Sequence, residues 1–268
     1  MVNEIVSRFI ASLCYSIDRT CRHDLQANRI VSERDYVSNL GTHLRFPLGP
    51  FCEFNLALAT TLNGGLERIF GCDSILIFRH RNEVKIGIFE AKWPRFFTQQ
   101  NYPWDSLSKK NNDSRFSSQI IRQQNWNASG LTIWEMFFNE SLPGTNHVNW
   151  DDLGSTCVLH TDASNYFHTI MSGNQFQLWT NNDLNVLLKQ SLNINQIVYR
   201  MLTCSYGQKF LLDNYSVTVK DISNDKTQII PIPTRSEVQN NENRRFYAFM
   251  EEAGLSNYLF VDTIGLDQ

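Results

Sequence analysis

The stretch from Gly71 to Trp93, "GCDSILIFRHRNEVKIGIFEAKW", decides how this chain is read. Two apolar runs in it have the length and composition of strands, yet Asp73 opens the first while Glu90 and Lys92 close the second. Buried strands rarely carry such charges without a reason, because an ion removed from water is costly unless it is paired. If "DSILIFR" and "EVKIGIFEAK" form an antiparallel hairpin turning at Arg81-Asn82, His80 faces Glu83 and Asp73 falls opposite Glu90. Any even loop keeps that register, whereas an odd one sends Asp73 to the other face, since side chains alternate with period two. In the even register Asp73, Ile75, Ile77, Ile86, Ile88, Glu90 and Lys92 share a face.

Directly opposed residues of a hairpin have Cβ atoms about 4.5 to 5.5 Å apart. Two carboxylates at that distance repel, and one keeps its proton unless a cation neutralises the pair. Mg²⁺ suits the position, because it takes one or two carboxylates, keeps waters and lets a substrate phosphate complete its shell. Lys92 then projects beside the ion, where it can orient an attacking water or steady charge developing on phosphorus. The plainer reading makes Asp73 a strand cap and Glu90 and Lys92 an ordinary exposed pair. An acid in the facing register, with apolar residues leading into both strands, weighs against it.

The rest of the chain is compatible with a folded enzyme. Its 268 residues are 42% hydrophobic and 19% charged, with 18 Phe and 6 Trp, which argues against disorder. The length allows one large domain or a core with an elaboration. No apolar run approaches the roughly 18 residues of a membrane span, and the first residues read as an amphipathic helix with a stripe of Ile5, Phe9, Ser12 and Leu13, neither signal peptide nor anchor. The six cysteines form no C-x-x-C pair, so a reducing cytoplasmic setting is expected. A formal charge of -3 and a pI near 6.1 give no global attraction to polyanions. Contact with nucleic acid must therefore come from a local patch.

Along the chain, "SERDYVSNLGTHLR" reads as a helix capped by Ser32 with a stripe of Val37, Leu40 and Leu44. "CEFNLALATTLN" reads as a third helix ended by Gly64-Gly65. After the hairpin and a long irregular connection, "SRFSSQIIRQQNW" reads as a helix and "LTIWEMFF" as a strand buried on both faces, which suggests a parallel crossover. Further on come expected strands near Cys157–Leu159 and Phe176–Trp179, an amphipathic helix in "DLNVLLKQSLNINQIVYRML", a β-ribbon in "NYSVTVKDISNDKTQIIPI" and a closing helix in "RRFYAFMEEAG". The expected division is a core with N-terminal helices over residues 1–142 and a C-terminal α+β extension over 143–268, packed on the same core.

The pattern G-x-D, hydrophobic hairpin, I-x-E-A-K, helix and buried strand resembles the PD-(D/E)XK nuclease superfamily, the restriction-endonuclease-like fold, over roughly Ser32 to Phe138. The name-giving proline is absent, with Cys72 in its place. The resemblance implies an α/β fold with an α-β-β-β-α-β core on a mixed central sheet. It also implies Mg²⁺-dependent phosphodiester cleavage (Mn²⁺ as substitute), with Asp73 and Glu90 as metal ligands and Lys92 as the catalytic lysine. Members often carry a glutamate on the first core helix, for which Glu33 lies in phase with Val37, Leu40 and Leu44, while Glu53 and Glu67 are rivals. The first strand is hard to place and "LERIF" is one choice for it. On the next helix many members place a glutamine facing the site, which here means Gln119, with Gln123 one turn on.

DNA, before RNA, is the expected partner, through Arg79, Arg81, Arg95, Arg115 and Arg122, joined by Lys109, Lys110 and by Trp93, Phe96, Tyr102 and Trp104 as stacking surfaces. A homodimer is compatible with this and a membrane partner is not expected. His160, Asp162 and His168 match no common metal-site spacing, and Asp151-Asp152 reads as turn chemistry. Two other classes stay open: a nuclease fold kept as a silent binding or assembly module, and a hydrolase of a smaller phosphoester.

Overall fold

The computed structural model describes residues 2–48, 57–61, 69–95, 104–138, 154–189, 191–222, 227–234, 236–237 and 243–263. In chain order the elements are α1 (Glu4–Gln26), α2 (Glu33–Leu48), β1 (Ala57–Thr61), β2 (Ser74–His80), β3 (Glu83–Lys92), α3 (Arg115–Ala128), β4 (Thr132–Phe137) and β5 (Thr156–Leu159). There follow α4 (His160–Thr169), α5 (Asn181–Leu188), β6 (Leu192–Asn193), α6 (Ile194–Leu202), β7 (Phe210–Leu211), β8 (Ser216–Lys220), β9 (Thr227–Pro231), α7 (Arg244–Ala253) and β10 (Asn257–Asp262).

The β2–β3 hairpin lies at the centre of an eight-stranded mixed sheet of order β1-β10-β2-β3-β4-β5-β6, with β7 added beside the start of β3. The hairpin turn holds two residues: His80 pairs with Glu83, and Arg81 takes a left-handed φ of 55°. From β3 the chain crosses through α3 to β4, which lies parallel to β3. The protein is thus mixed α/β.

Both sheet faces are covered, which is why its central strands read as continuous apolar runs rather than alternating ones. On one face Leu76, Phe78, Phe89, Trp134 and Met136 pack against α1, α2 and α6. The closeness of α6 depends on Gly87, where an added Cβ would come 2.7 Å from Met201 and from Trp134. On the other face Ile75, Ile77, Ile86, Ile88 and Ile133 pack against Trp126 of α3, Phe246, Phe249 and Met250 of α7, and the β8–β9 ribbon. Beyond them, Phe116 and Ile120 of α3 join Phe137, Val158, Phe167 and Trp179 in an aromatic cluster under α4 and α5.

A buried polar knot ties the N-terminal helices to this frame. Asp18 of α1 accepts hydrogen bonds from Tyr36 Oη at 2.6 Å, Ser155 Oγ at 2.6 Å and Ser155 N at 2.5 Å. Burial pushes the Asp18 carboxyl above its usual range, although all three donors favour the charged form.

Besides β7, the C-terminal half joins the same sheet at two more places. β5 and β6 extend it beyond β4, and β10 enters between β1 and β2, antiparallel to the former and parallel to the latter. No helix among the described residues is long and apolar enough to cross a membrane.

Several local expectations are corrected. Ala57–Thr61, expected as part of a helix, is β1, because pairing with β10 outweighs the weak helical preference of an Ala/Leu/Thr segment. Of "LERIF", Ile69 and Phe70 form a bend, and the rest lies outside the described residues. Phe176–Trp179 is not a strand: the Trp179 amide donates to Asp105, and Phe176 is exposed. The long helix expected over 183–202 is broken into α5 and α6 by two capping boxes, Thr180 with Asp183 and Asn193 with Gln196, around β6. The α1 stripe is rotated: Val6, Ile10, Cys14, Ile17 and Cys21 face inward, while Ile5 and Phe9 are exposed. At about 3.6 residues per turn a helix face follows mixed steps of three and four, so the buried row runs Val6, Ile10, Cys14, Ile17, Cys21 and leaves Ile5 and Phe9 beside it.

Candidate active site

The even hairpin turn has the consequence expected from the sequence. Ile75 pairs with Ile88 and Ile77 with Ile86, all four on the α3 face, and the ladder ends with Ser74 against Phe89. Asp73 stands one residue before that ladder, in a bend, and only the register continued by one more step would bring it opposite Glu90. Glu90 and Lys92 lie at the C-terminal end of β3, where α3 crosses above the sheet.

There Glu90, Lys92 and Gln119 close a triangle. Lys92 Nζ donates to Glu90 Oε1 at 2.7 Å and to Gln119 Oε1 at 2.6 Å. Gln119 Nε2 donates to the same Glu90 Oε1 at 2.6 Å. The Glu90 side chain is 6% exposed and that of Lys92 14%, so this ion pair is shielded from water and stronger than a surface pair. Phe116 lies under the ammonium, its ring centroid 5.6 Å from Nζ.

The triangle forms part of the wall of a cleft of about 410 Å³. Ser32, Glu33 and Arg34 at the start of α2 contribute to the cleft, as do Trp93 and Arg95 after β3, Trp104 to Ser106, and Arg115 and Phe116 at the start of α3. Ser32 Oγ caps α2 by accepting from Asp35 N at 3.0 Å. Glu33, exposed at the rim, accepts from the Trp93 amide at 2.9 Å, which ties α2 to the residue after Lys92. Asp105 is buried and accepts from Ser106 N, Phe116 N, Ser114 Oγ and Trp179 N, so its carboxylate holds the start of α3 together.

Asp73 is half-buried and does not line this cleft. Its Oδ1 accepts from Ser74 Oγ at 2.8 Å, and its carbonyl accepts from Ser256 N and Asn257 N as β10 begins. The ladder stops one residue short of Asp73, whose carboxylate is turned along the bend toward Ser74.

The arginines divide. Arg95 and Arg115 line the cleft, with the Arg95 guanidinium 4.4 Å above the Trp93 ring. Arg79 and Arg81 stand at the hairpin turn, the opposite end of the strands, with Arg79 Nη1 donating to Pro233 O. Arg122 is exposed on α3 and packs over Gly71. Lys109 and Lys110 are exposed in the loop before α3. Trp93 and Trp104 line the cleft, but both also pack on core clusters. Phe96, Tyr102, Glu53, Glu67, Asp151 and Asp152 lie outside the described residues.

One residue here went unread in the sequence. Glu135 of β4 pairs in register with Glu90 and is fully buried. The signal for it was the single charge inside the apolar run "LTIWEMFF". His160, for which the sequence favours a hydrogen-bonded structural role over a metal ligand, is buried and meets Gln123 at 3.0 Å.

Among the described residues no group of three or more His, Cys, Asp or Glu is placed to hold a metal ion. Of the expected ligands, Glu33 and Glu90 line the cleft, while Asp73 lies off its wall and is bonded to Ser74. So few protein carboxylates would suit only an ion that draws most of its ligands from water and substrate, as Mg²⁺ does. No protein-family model, curated protein or solved structure matches the chain.

Proposed function

We propose that the chain is a Mg²⁺-dependent nuclease of the PD-(D/E)XK kind, hydrolysing phosphodiester bonds in nucleic acid, DNA before RNA. The observation that carries this reading is the Glu90–Lys92–Gln119 triangle, recessed in a polar cleft at the end of an even-register hairpin. Chain order supports it: from α2 to β4 the elements run α-β-β-β-α-β, with β3 parallel to β4. One departure is that β10 separates β1 from β2.

In this reading Glu90 and Asp73 would hold the cation, and Glu33, which lines the same cleft, would be the further acid near it. Mg²⁺, when bound, supplies Lewis-acid polarisation of the phosphoryl oxygen and a water of lowered pKa. The rest is done by the chain. Lys92 presents an ammonium whose direction is fixed by two acceptors, so it meets charge developing on phosphorus without reorganising. Gln119 holds both Lys92 and Glu90, and thereby sets their separation. Arg95 and Arg115 draw the phosphate backbone to the cleft.

One observation favours a second reading, a silent nuclease fold serving as a binding module: Asp73 is bonded to Ser74 and lies off the cleft wall. Cleavage assays separate the two. Plasmid DNA, single-stranded oligonucleotide and RNA are incubated with Mg²⁺ or Mn²⁺, and with EDTA. The nuclease reading expects divalent-dependent cleavage that Asp73→Ala, Glu90→Ala and Lys92→Ala each abolish. Cleavage that persists in EDTA, or is untouched in those variants, removes it.

A further inference from the structure

Gln119 and Gln123 stand one turn apart on the buried face of α3. The first holds the Lys92 triangle, and the second reaches the segment that leads into Asp73. Gln123 is fully buried, and its Nε2 donates to the Gly71 carbonyl at 3.0 Å and toward Cys72 Sγ at 3.3 Å. An amide nitrogen cannot accept, so Gln123 Oε1 is the acceptor left for His160 Nδ1, 3.0 Å away. His160 must then carry its proton on Nδ1. Burial drops this imidazole to about 4, so it is neutral at pH 7 and that tautomer is fixed.

The segment being held has little freedom. Gly71 has a left-handed φ of 69°, and an added Cβ would come 3.0 Å from the Gln119 carbonyl and 3.1 Å from Arg122 Cβ. The backbone of residues 71–72 is therefore pressed on α3 and hydrogen-bonded to it. One residue later, β10 takes over, with Ser256 N and Asn257 N donating to the Asp73 carbonyl at 2.7 and 3.1 Å.

We propose that His160 and Gln123 are positioning residues for the metal site: His160 orients the Gln123 amide, and Gln123 sets the Gly71–Cys72 backbone that leads into Asp73. This rests on the reading of Asp73 and Glu90 as ligands. It makes α3 a two-pronged support, with Gln119 fixing the glutamate and lysine while Gln123 fixes the approach to the aspartate. Groups that orient metal ligands from behind typically change metal affinity 10- to 100-fold when removed.

The test is Mn²⁺ titration by calorimetry on the full chain, with thermal melts to establish folding. His160→Leu and Gln123→Met should each weaken Mn²⁺ binding about 10- to 100-fold. His160→Asn, whose amide nitrogen can take the place of Nδ1, should retain wild-type affinity, a rescue that a space-filling role does not produce. Folded His160→Leu or Gln123→Met that binds Mn²⁺ like wild type overturns the proposal, as does an Asn variant no better than the Leu one. If His160→Leu does not fold, Gln123→Met and His160→Asn decide the matter. Wild-type protein that binds no Mn²⁺, or Glu90→Ala that binds it normally, overturns the metal-site reading and this inference with it.

Discussion

Lys92 Nζ lies 2.6 Å from Gln119 Oε1, a residue 27 positions further along the chain, on the helix that crosses over the sheet. Hydrogen bonds to charged groups are worth about 1.5 to 3 kcal/mol each, or roughly 10- to 100-fold in a rate that depends on them. Gln119→Leu should therefore lower single-turnover cleavage by about that factor, and it should weaken Mn²⁺ binding as well, because the same amide holds Glu90. An unchanged rate would mean that Lys92 needs no partner on α3.

The arginines should separate by position. On duplex DNA, removing one side chain that neutralises a phosphate lowers the slope of log affinity against log salt by about one unit. Arg95→Ala and Arg115→Ala should flatten the slope and weaken binding. Arg79→Ala and Arg81→Ala, at the far end of the hairpin, should leave both unchanged. Fluorescence anisotropy over a salt series with Ca²⁺ in place of Mg²⁺ gives the slopes.

Asp18 makes stability depend on pH in an uncommon direction for a carboxylate. Burial raises its folded pKa above the ordinary 3.8, so the native state holds the proton more tightly than the unfolded chain does. The group's contribution is fully present below pH 3.8 and is lost as pH rises through the folded pKa. The stability of Asp18→Asn relative to wild type should therefore improve as pH rises above 3.8, measured by urea unfolding at each pH. A relative stability that stays flat would show that Tyr36 and Ser155 fully offset the cost of burial.

His160 acts in the opposite sense. Its pKa falls from 6.5 to about 4 on folding, so the unfolded chain binds the extra proton between those values. Stability contributed by the neutral imidazole is intact above pH 6.5 and is lost as pH falls toward 4, on the order of 3 kcal/mol in full. Wild type should lose ground to His160→Asn over that window in urea melts. Parallel curves would place the imidazole in contact with water.

What the sequence disclosed follows from locality. The hairpin, its even turn and the shared face of Ile75, Ile77, Ile86 and Ile88 depend on period-two alternation within about 20 residues, and Ser32 caps its helix where a cap is expected. The candidate glutamine, Gln119, came from the resemblance, which implies a glutamine on the helix after the hairpin, and it lies beside Phe116 and Ile120. β10 was missed, since nothing near Asn257–Asp262 shows that it inserts beside Ser74, far back along the chain. β1 was misread because its strand character comes from that same distant partner. Lys85 shows the same limit: alternation alone leaves its environment open, yet it is fully buried, its ammonium capped by the carbonyls of Tyr206 and Gly207. The placement of Asp73 also needed coordinates, because its lean toward Ser74 arises in a bend that strand periodicity does not describe.

Whether a cation joins the Asp73 and Glu90 carboxylates is decided by a crystal of the full chain soaked in Mn²⁺ and examined for anomalous scattering. A peak is expected between Asp73 and Glu90, with Asp73 released from Ser74 and Lys92 still in contact with Gln119. A fully soaked crystal with no peak there, and Asp73 still bonded to Ser74, would contradict the metal site and the nuclease chemistry built on it.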